Sequence, residues 1–324
     1  MPWNGPVVAI SRQIFQQFLL DRPASPRSLS PQEEAELASE GLLEIANQKL
    51  LRREAHLQGA ARELGWRALL QELDEALAAQ RSQAIVFKGG AALGRLYQTG
   101  QRPLSDLDLL GDKHLPAVLR SLNFAPVSEN SWIWGRGRYL LDTHQHPLGR
   151  LQHAFRWNLR RAWQQSEPLS QRRGLFRFTT EDEMVVALIH AGKHAYSRLI
   201  WLADIHLLLE RCQPQRLKAR LLESGAGSFL RYSHWLLTHL SDRPEAAPRL
   251  NRLERALLEL CLQRKTSESL GMLLPLMVTA WPCPALPYLW HCLRPQEDEG
   301  WRGRAAKLRS LAKAFLRPAD VVRS

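Results

Sequence analysis

The sequence is poor in cysteine. Four occur in 324 residues, Cys212, Cys261, Cys283 and Cys292, and no two make a CxxC pair. All lie from residue 212 onward, which excludes a disulfide framework for the whole chain. A reducing cytoplasm is the expected compartment. Long apolar runs are missing as well. None reaches the roughly 18 residues that a membrane span needs, so no membrane insertion is expected. The opening stretch, MPWNGPVVAISRQIFQQFLL, lacks a basic region followed by a clean apolar run. No secretory signal is expected there. Acid is in short supply: 32 Asp and Glu stand against 44 Lys and Arg, a formal net charge of +12. That excess suits a polyanionic partner, and it also serves plain solubility. Tryptophan, by contrast, is plentiful. The 11 indoles are expected chiefly in the gaps between helices. Apolar residues at 45% and charged residues at 23% are those of an ordinary soluble chain with a sizeable core.

The first thirty residues are Pro-rich and weakly periodic. From Ser30 the apolar residues recur at steps of three and four: Leu37, Leu42, Leu43, Ile45, Ala46, Leu50, then Leu57, Leu64, Leu69, Leu70, Leu73 and Leu77. This spacing predicts two or three helices. Ser30 stands as N-cap, with Pro31 at the first helical position. The pattern changes at residue 84. AIVFK has strand length, Gly89 and Gly90 break it, and AALGRLYQ continues as a short helix. DLDLL is a second strand, HLPAVLRSLNF a helix, and SWIWGRGRYLLDTHQH a hairpin about a Gly-Arg-Gly turn. From 151 onward the pattern reads as helical. Thr180 and Glu183 fit a capping box that opens EDEMVVALIHAGKHAYSRLIWLADIHLLLERC. The basic tail from Trp301 reads as a solvated amphipathic helix.

Chemistry concentrates in FKGGAALGRLYQTGQRPLSDLDLL. In a strand, residues two apart share a face, so Asp106 and Asp108 stand side by side. Like charges there repel unless a cation sits between them, and oxygen donors suit Mg²⁺. The alternative is a solvated strand end. The Gly89-Gly90 turn exposes backbone N–H groups, an anion site beside Lys88, or else is only a tight turn. A third acid, Asp142, falls within the RYLLDTHQHP strand, and His144 shares its face. His190 and His194 are four apart on one helix face, a zinc-like spacing with no clear third ligand. Lys193 and Arg198 are basic groups on the same stretch, and Asp204 is an acid to pair with one of them.

Taken together, Lys88-Gly89-Gly90, Arg102 with Asp106 and Asp108, Asp142 with His144, His190-Lys193-His194, and Trp201-Asp204-Ile205 resemble the nucleotidyltransferases of the DNA polymerase beta superfamily. The pattern is nearest to the branch of uncharacterised nucleotidyltransferases and covers roughly residues 35 to 210. The wider superfamily has Gly-Ser where this chain has Gly-Gly, which removes one hydroxyl contact to phosphate. The resemblance implies two Mg²⁺ ions on Asp106, Asp108 and Asp142. It also implies an NTP held by Lys88, Gly89, Gly90, Arg102, Ser105 and Lys193.

The expected fold is α+β. A small mixed β-sheet nucleotidyltransferase core, 81–150, would be flanked by an N-terminal helical region, 1–80, and a C-terminal helical region, 151–324. The expected activity is transfer of a nucleoside monophosphate from an NTP to an acceptor, a small molecule, peptide, protein or RNA. Rival readings are a toxin-like transfer to tRNA or protein, a γ-phosphotransfer on the same fold, and an inactive nucleotide-binding or scaffold protein.

Overall fold

A computed structural model describes residues 6–263 apart from 129, 130, 172 and 242, together with 274 and 275. The basic tail and most of the helical readings beyond residue 263 lie outside the described residues.

Four helices lead into the sheet: α1 (Pro6–Leu19), α2 (Pro31–Ser39), α3 (Leu43–Lys49) and α4 (Arg53–Ala79). Helix α1 corrects the reading of a weakly periodic start. The prolines on either side obscured the pattern in the sequence. Ile10, Ile14 and Phe15 supply its buried face. Helix α2 starts as expected. Ser30 Oγ accepts from the Glu33 N–H, and the Glu33 carboxylate accepts from the Ser30 N–H.

The mixed part of the chain then gives β1 (Ala84–Phe87), α5 (Gly89–Ala92), β2 (Leu107–Gly111), α6 (Leu115–Ser121), β3 (Ala125–Pro126), β4 (Ile133–Arg136) and β5 (Tyr139–His144). The short helix α5 is a single turn and does not continue through AALGRLYQ; Gly94, at φ +64°, helps turn the chain away. After α7 (Leu159–Gln164) come two strands, β6 (Glu167–Pro168) and β7 (Leu175–Arg177). These correct the expectation that everything past 151 is helical. Helices α8 (Thr180–Lys193), α9 (Leu199–Leu209), α10 (Pro214–Ser224), α11 (Gly227–Leu240) and α12 (Arg252–Leu262) follow. The stretch read as opening at Thr180 is capped one residue earlier, by Thr179 Oγ1 accepting from the Asp182 N–H. It is two helices, because Ala195 and Tyr196 turn through φ near +50°.

The seven strands form one sheet in the order β3-β4-β5-β2-β1-β7-β6. β1 is antiparallel to β2 and parallel to β7, and β2 is parallel to β5. Alternation gives the sheet two faces. The back face, with Val86, Leu107, Leu109, Trp134, Leu141 and Leu175, packs on α4 and α6 through Leu69, Leu73, Leu77, Val118 and Leu119. The front face, with Ile85, Phe87 and Leu110, joins a larger core built mainly of helices, including α8, α9 and α11. The site lies where that front face leaves the helices.

Candidate active site

Strand register decides which acids meet. On β2 and β5, Asp108 stands opposite Asp142, and Leu110 opposite His144. The parity of the pleat turns all four toward the front face. Two adjacent carboxylates would repel, but two nitrogen groups offset them. Lys88 Nζ donates to Asp108 Oδ1 at 2.6 Å. His144 Nε2 lies 2.8 Å from the same oxygen and 3.2 Å from Asp142 Oδ2.

Asp108 is only 7% exposed. Burial alone would raise its carboxyl, but the bonds from His144 and Lys88 outweigh that and hold it below the usual carboxylate range. His144 moves the other way. Burial pulls the imidazole down, and its bonds to Asp108 and Asp142 lift it above its ordinary value.

One ligand atom from each of Asp108, Asp142 and His144 lies within 4.8 Å of the others. Two carboxylates and an imidazole fit a divalent cation; the oxygens suit Mg²⁺, and the ring extends the range toward softer first-row metals. Among the described residues this is the group that meets such a test. His190 and His194 do not join a three-donor set. Asp106 lies just before β2, on the incoming loop and off the pleat. Its carboxylate accepts from the Ser105 hydroxyl at 2.7 Å, and both residues line the same cavity.

The turn into α5 falls on Lys88, at φ 54° and ψ −131°. Such a backbone costs a non-glycine residue on the order of 1–3 kcal/mol. It also brings the ammonium back to Asp108. Gly89 and Gly90, read as the turn itself, are instead the first residues of α5, and close packing requires them. A Cβ on Gly89 would meet Leu104 at 2.5 Å, and one on Gly90 would meet Val86 at 2.6 Å.

Arg102 sits against Gly89 but is fully engaged elsewhere. Its Nε and Nη2 donate to the two oxygens of Asp204, at 3.0 and 2.8 Å, and Nη1 donates to the Pro103 carbonyl. The Tyr97 hydroxyl adds a third bond to Asp204, at 2.6 Å. Asp204 was read as a partner for a base of its own helical stretch, and it pairs across the fold instead. Arg198 is held by the Ser39 carbonyl at 3.1 Å. Lys193 is exposed at the cavity rim. The rings of His190, His194 and Trp201 lie together, with centroids 4.7 to 5.3 Å apart.

The acids, Lys88, the Arg102–Asp204 pair and the ring cluster line one cavity of about 560 Å³, a size usual for small-molecule sites. Two groups, one behind the cavity and one lining it, escaped the sequence. Tyr97 carried no motif. Glu183 was read as a cap, yet it is buried beside Arg95. Burial pushes its carboxyl up to about 7 against the pull of that guanidinium.

A protein-family model described as uncharacterised nucleotidyltransferase matches residues 28–242. The chain belongs to that family. No curated protein and no solved structure matches it. Among the described residues, no helix is long and apolar enough to cross a membrane.

Proposed function

We propose that the protein is a metal-dependent nucleotidyltransferase, moving a nucleoside monophosphate from an NTP to an acceptor hydroxyl with release of pyrophosphate. The observation that carries this reading is the convergence of Asp108, Asp142 and His144 beside Lys88 in one cavity. Asp106, Asp108 and Asp142 are the proposed metal ligands, with His144 adjoining them. Mg²⁺ held there, as two ions, would supply charge neutralisation on the triphosphate and activation of the acceptor hydroxyl.

The chain's own groups do the rest by position and charge. Lys88 offers its ammonium to the phosphates, joined by the Gly89 and Gly90 N–H groups, the Ser105 hydroxyl and Lys193. Arg102 acts from behind this set, fixing the segment that carries Ser105 and Asp106. The acceptor oxygen forms its bond to the α-phosphorus. The bond from that phosphorus to the bridging oxygen breaks, and pyrophosphate leaves with the electron pair. Asp142 takes the acceptor proton; its side chain, 31% exposed, is the most open of the three. The cytoplasm is the proposed location, on the cysteine pattern. An RNA or protein acceptor would make the same chemistry a macromolecular modification, and the +12 charge favours RNA.

The test is isotope transfer. The protein is incubated with Mg²⁺ and each NTP, labelled at α or at γ, with cell extract as acceptor source. Label arriving from α alone supports the reading. Label from γ would replace it with phosphotransfer. No label and no nucleotide binding would favour a scaffold.

A further inference from the structure

The cavity has two kinds of wall. One carries the acids and Lys88. The other is a cluster of rings that the chemistry above does not use. Trp201 is half-buried and lines the cavity, whereas Trp66, Trp134, Trp157 and Trp235 are buried in the packed core. The ring centroids of His190 and His194 lie 4.9 and 5.3 Å from that of Trp201. His190 lies in the last turn of α8 and His194 is its C-cap residue, so the two rings lie together at that end of the helix.

We propose that Trp201, with His190 and His194, forms the nucleobase subsite, where the base of the incoming NTP lies against ring faces. The proposal rests on the nucleotidyl-transfer reading and adds where the nucleoside binds. A nucleotide needs cations for its phosphates and ring surface for its base. The cavity offers both. Lys88 is close enough to both histidines to help depress them. Burial first, then the neighbouring cations, pushes His194 down to about 4 and His190 well below its ordinary value. Both rings are therefore neutral at pH 7 and present stacking surfaces without adding charge. Stacking is tolerant of base identity because every base has a π-face. The four NTPs therefore bind with similar affinity.

The experiment compares Mg·ATP with inorganic tripolyphosphate on the full chain by calorimetry. Tripolyphosphate carries the charges without the base. The wild type binds both, ATP more tightly. Trp201→Leu, which keeps an apolar side chain but no π-face, weakens ATP about 10-fold. It leaves tripolyphosphate unchanged. Trp201→Phe keeps most of the ATP affinity. Equal weakening of both ligands would make Trp201 merely structural and overturn the subsite. ATP affinity unchanged in Trp201→Leu would place the base elsewhere and also overturn it. If the wild type binds neither ligand, the nucleotidyl-transfer reading fails and takes the subsite with it.

Discussion

Two aspartates, Asp108 and Asp204, face the same cavity, and their partners differ. Asp108 is met by one ammonium and one imidazole, both on the same oxygen. Asp204 is met by a bidentate guanidinium and a tyrosine hydroxyl. A lysine on a flexible stem swings away from a carboxylate with little rearrangement, while a planar fork engaged at two atoms does not. The Arg102–Asp204 pair also joins the loop before β2 to α9, with side chains 9% and 13% exposed. The contrast separates an acid whose partners can swing away from an acid that holds two parts of the fold in place.

The sharpest way to break the contrast is to neutralise the first acid. Asp108→Asn or Asp142→Asn should lower nucleotidyl transfer by about 10³-fold, near 4 kcal/mol of transition-state stabilisation. Single-turnover label transfer measures it, with urea unfolding expected to move little. Turnover that survived both changes would remove these acids from the reaction. Neutralising the second acid should do the reverse. Asp204→Asn leaves Arg102 buried and uncompensated, at a cost of about 3 kcal/mol in urea unfolding. A midpoint equal to wild type would show that the clamp bears no load.

A smaller effect is expected where the two acids' surroundings touch. Gly89 lies between Leu104 and Arg102, so Gly89→Ala should cost about 2 kcal/mol by overpacking. Thermal unfolding would register it as a lowered midpoint.

The smallest effect separates two histidines. His144 is raised by its acids; His190 is lowered, by burial first and then by Lys88, His194, Lys193 and Arg102. With its folded pKa depressed, His190 takes up a proton more readily in the unfolded chain. Its contribution to stability is therefore intact above about 6.5 and falls as pH drops below that value. The gap between urea midpoints at pH 7.5 and pH 5.5 should narrow in His190→Gln. An unchanged gap would mean that the ring is not held neutral.

Local spacing made much of this molecule legible. The Ser30 cap, the β1 and β2 strands and the hairpin of β4 and β5 all follow from residues adjacent in sequence. Asp108 and Asp142 were legible as candidate acids because each sits in a short strand pattern. Their meeting followed only from the family resemblance, since local spacing does not give the parallel register of β2 on β5. The Arg102–Asp204–Tyr97 clamp was illegible for the same reason, since it ties the loop before β2 to α9 about a hundred residues on. β7 is three residues long and has no periodicity to read. It is held by Asp74 of α4, whose carboxylate accepts from the Gly174 and Leu175 N–H groups at 2.8 and 2.6 Å. The positive φ of Lys88 was illegible too, because beside two glycines a lysine is the residue least expected to take it.

The pairing of β7 with β1 bears on how the chain can be cut. β1 is buried at all four positions, and the partner on one of its sides arrives some ninety residues later, at Ala84 opposite Leu175. A fragment that ends after the hairpin would present β1 as a bare, apolar edge, the kind that recruits other chains. The sheet is therefore indivisible at that point. A shortened gene product or a minimal expression clone has to run past Arg177 before the sheet can close.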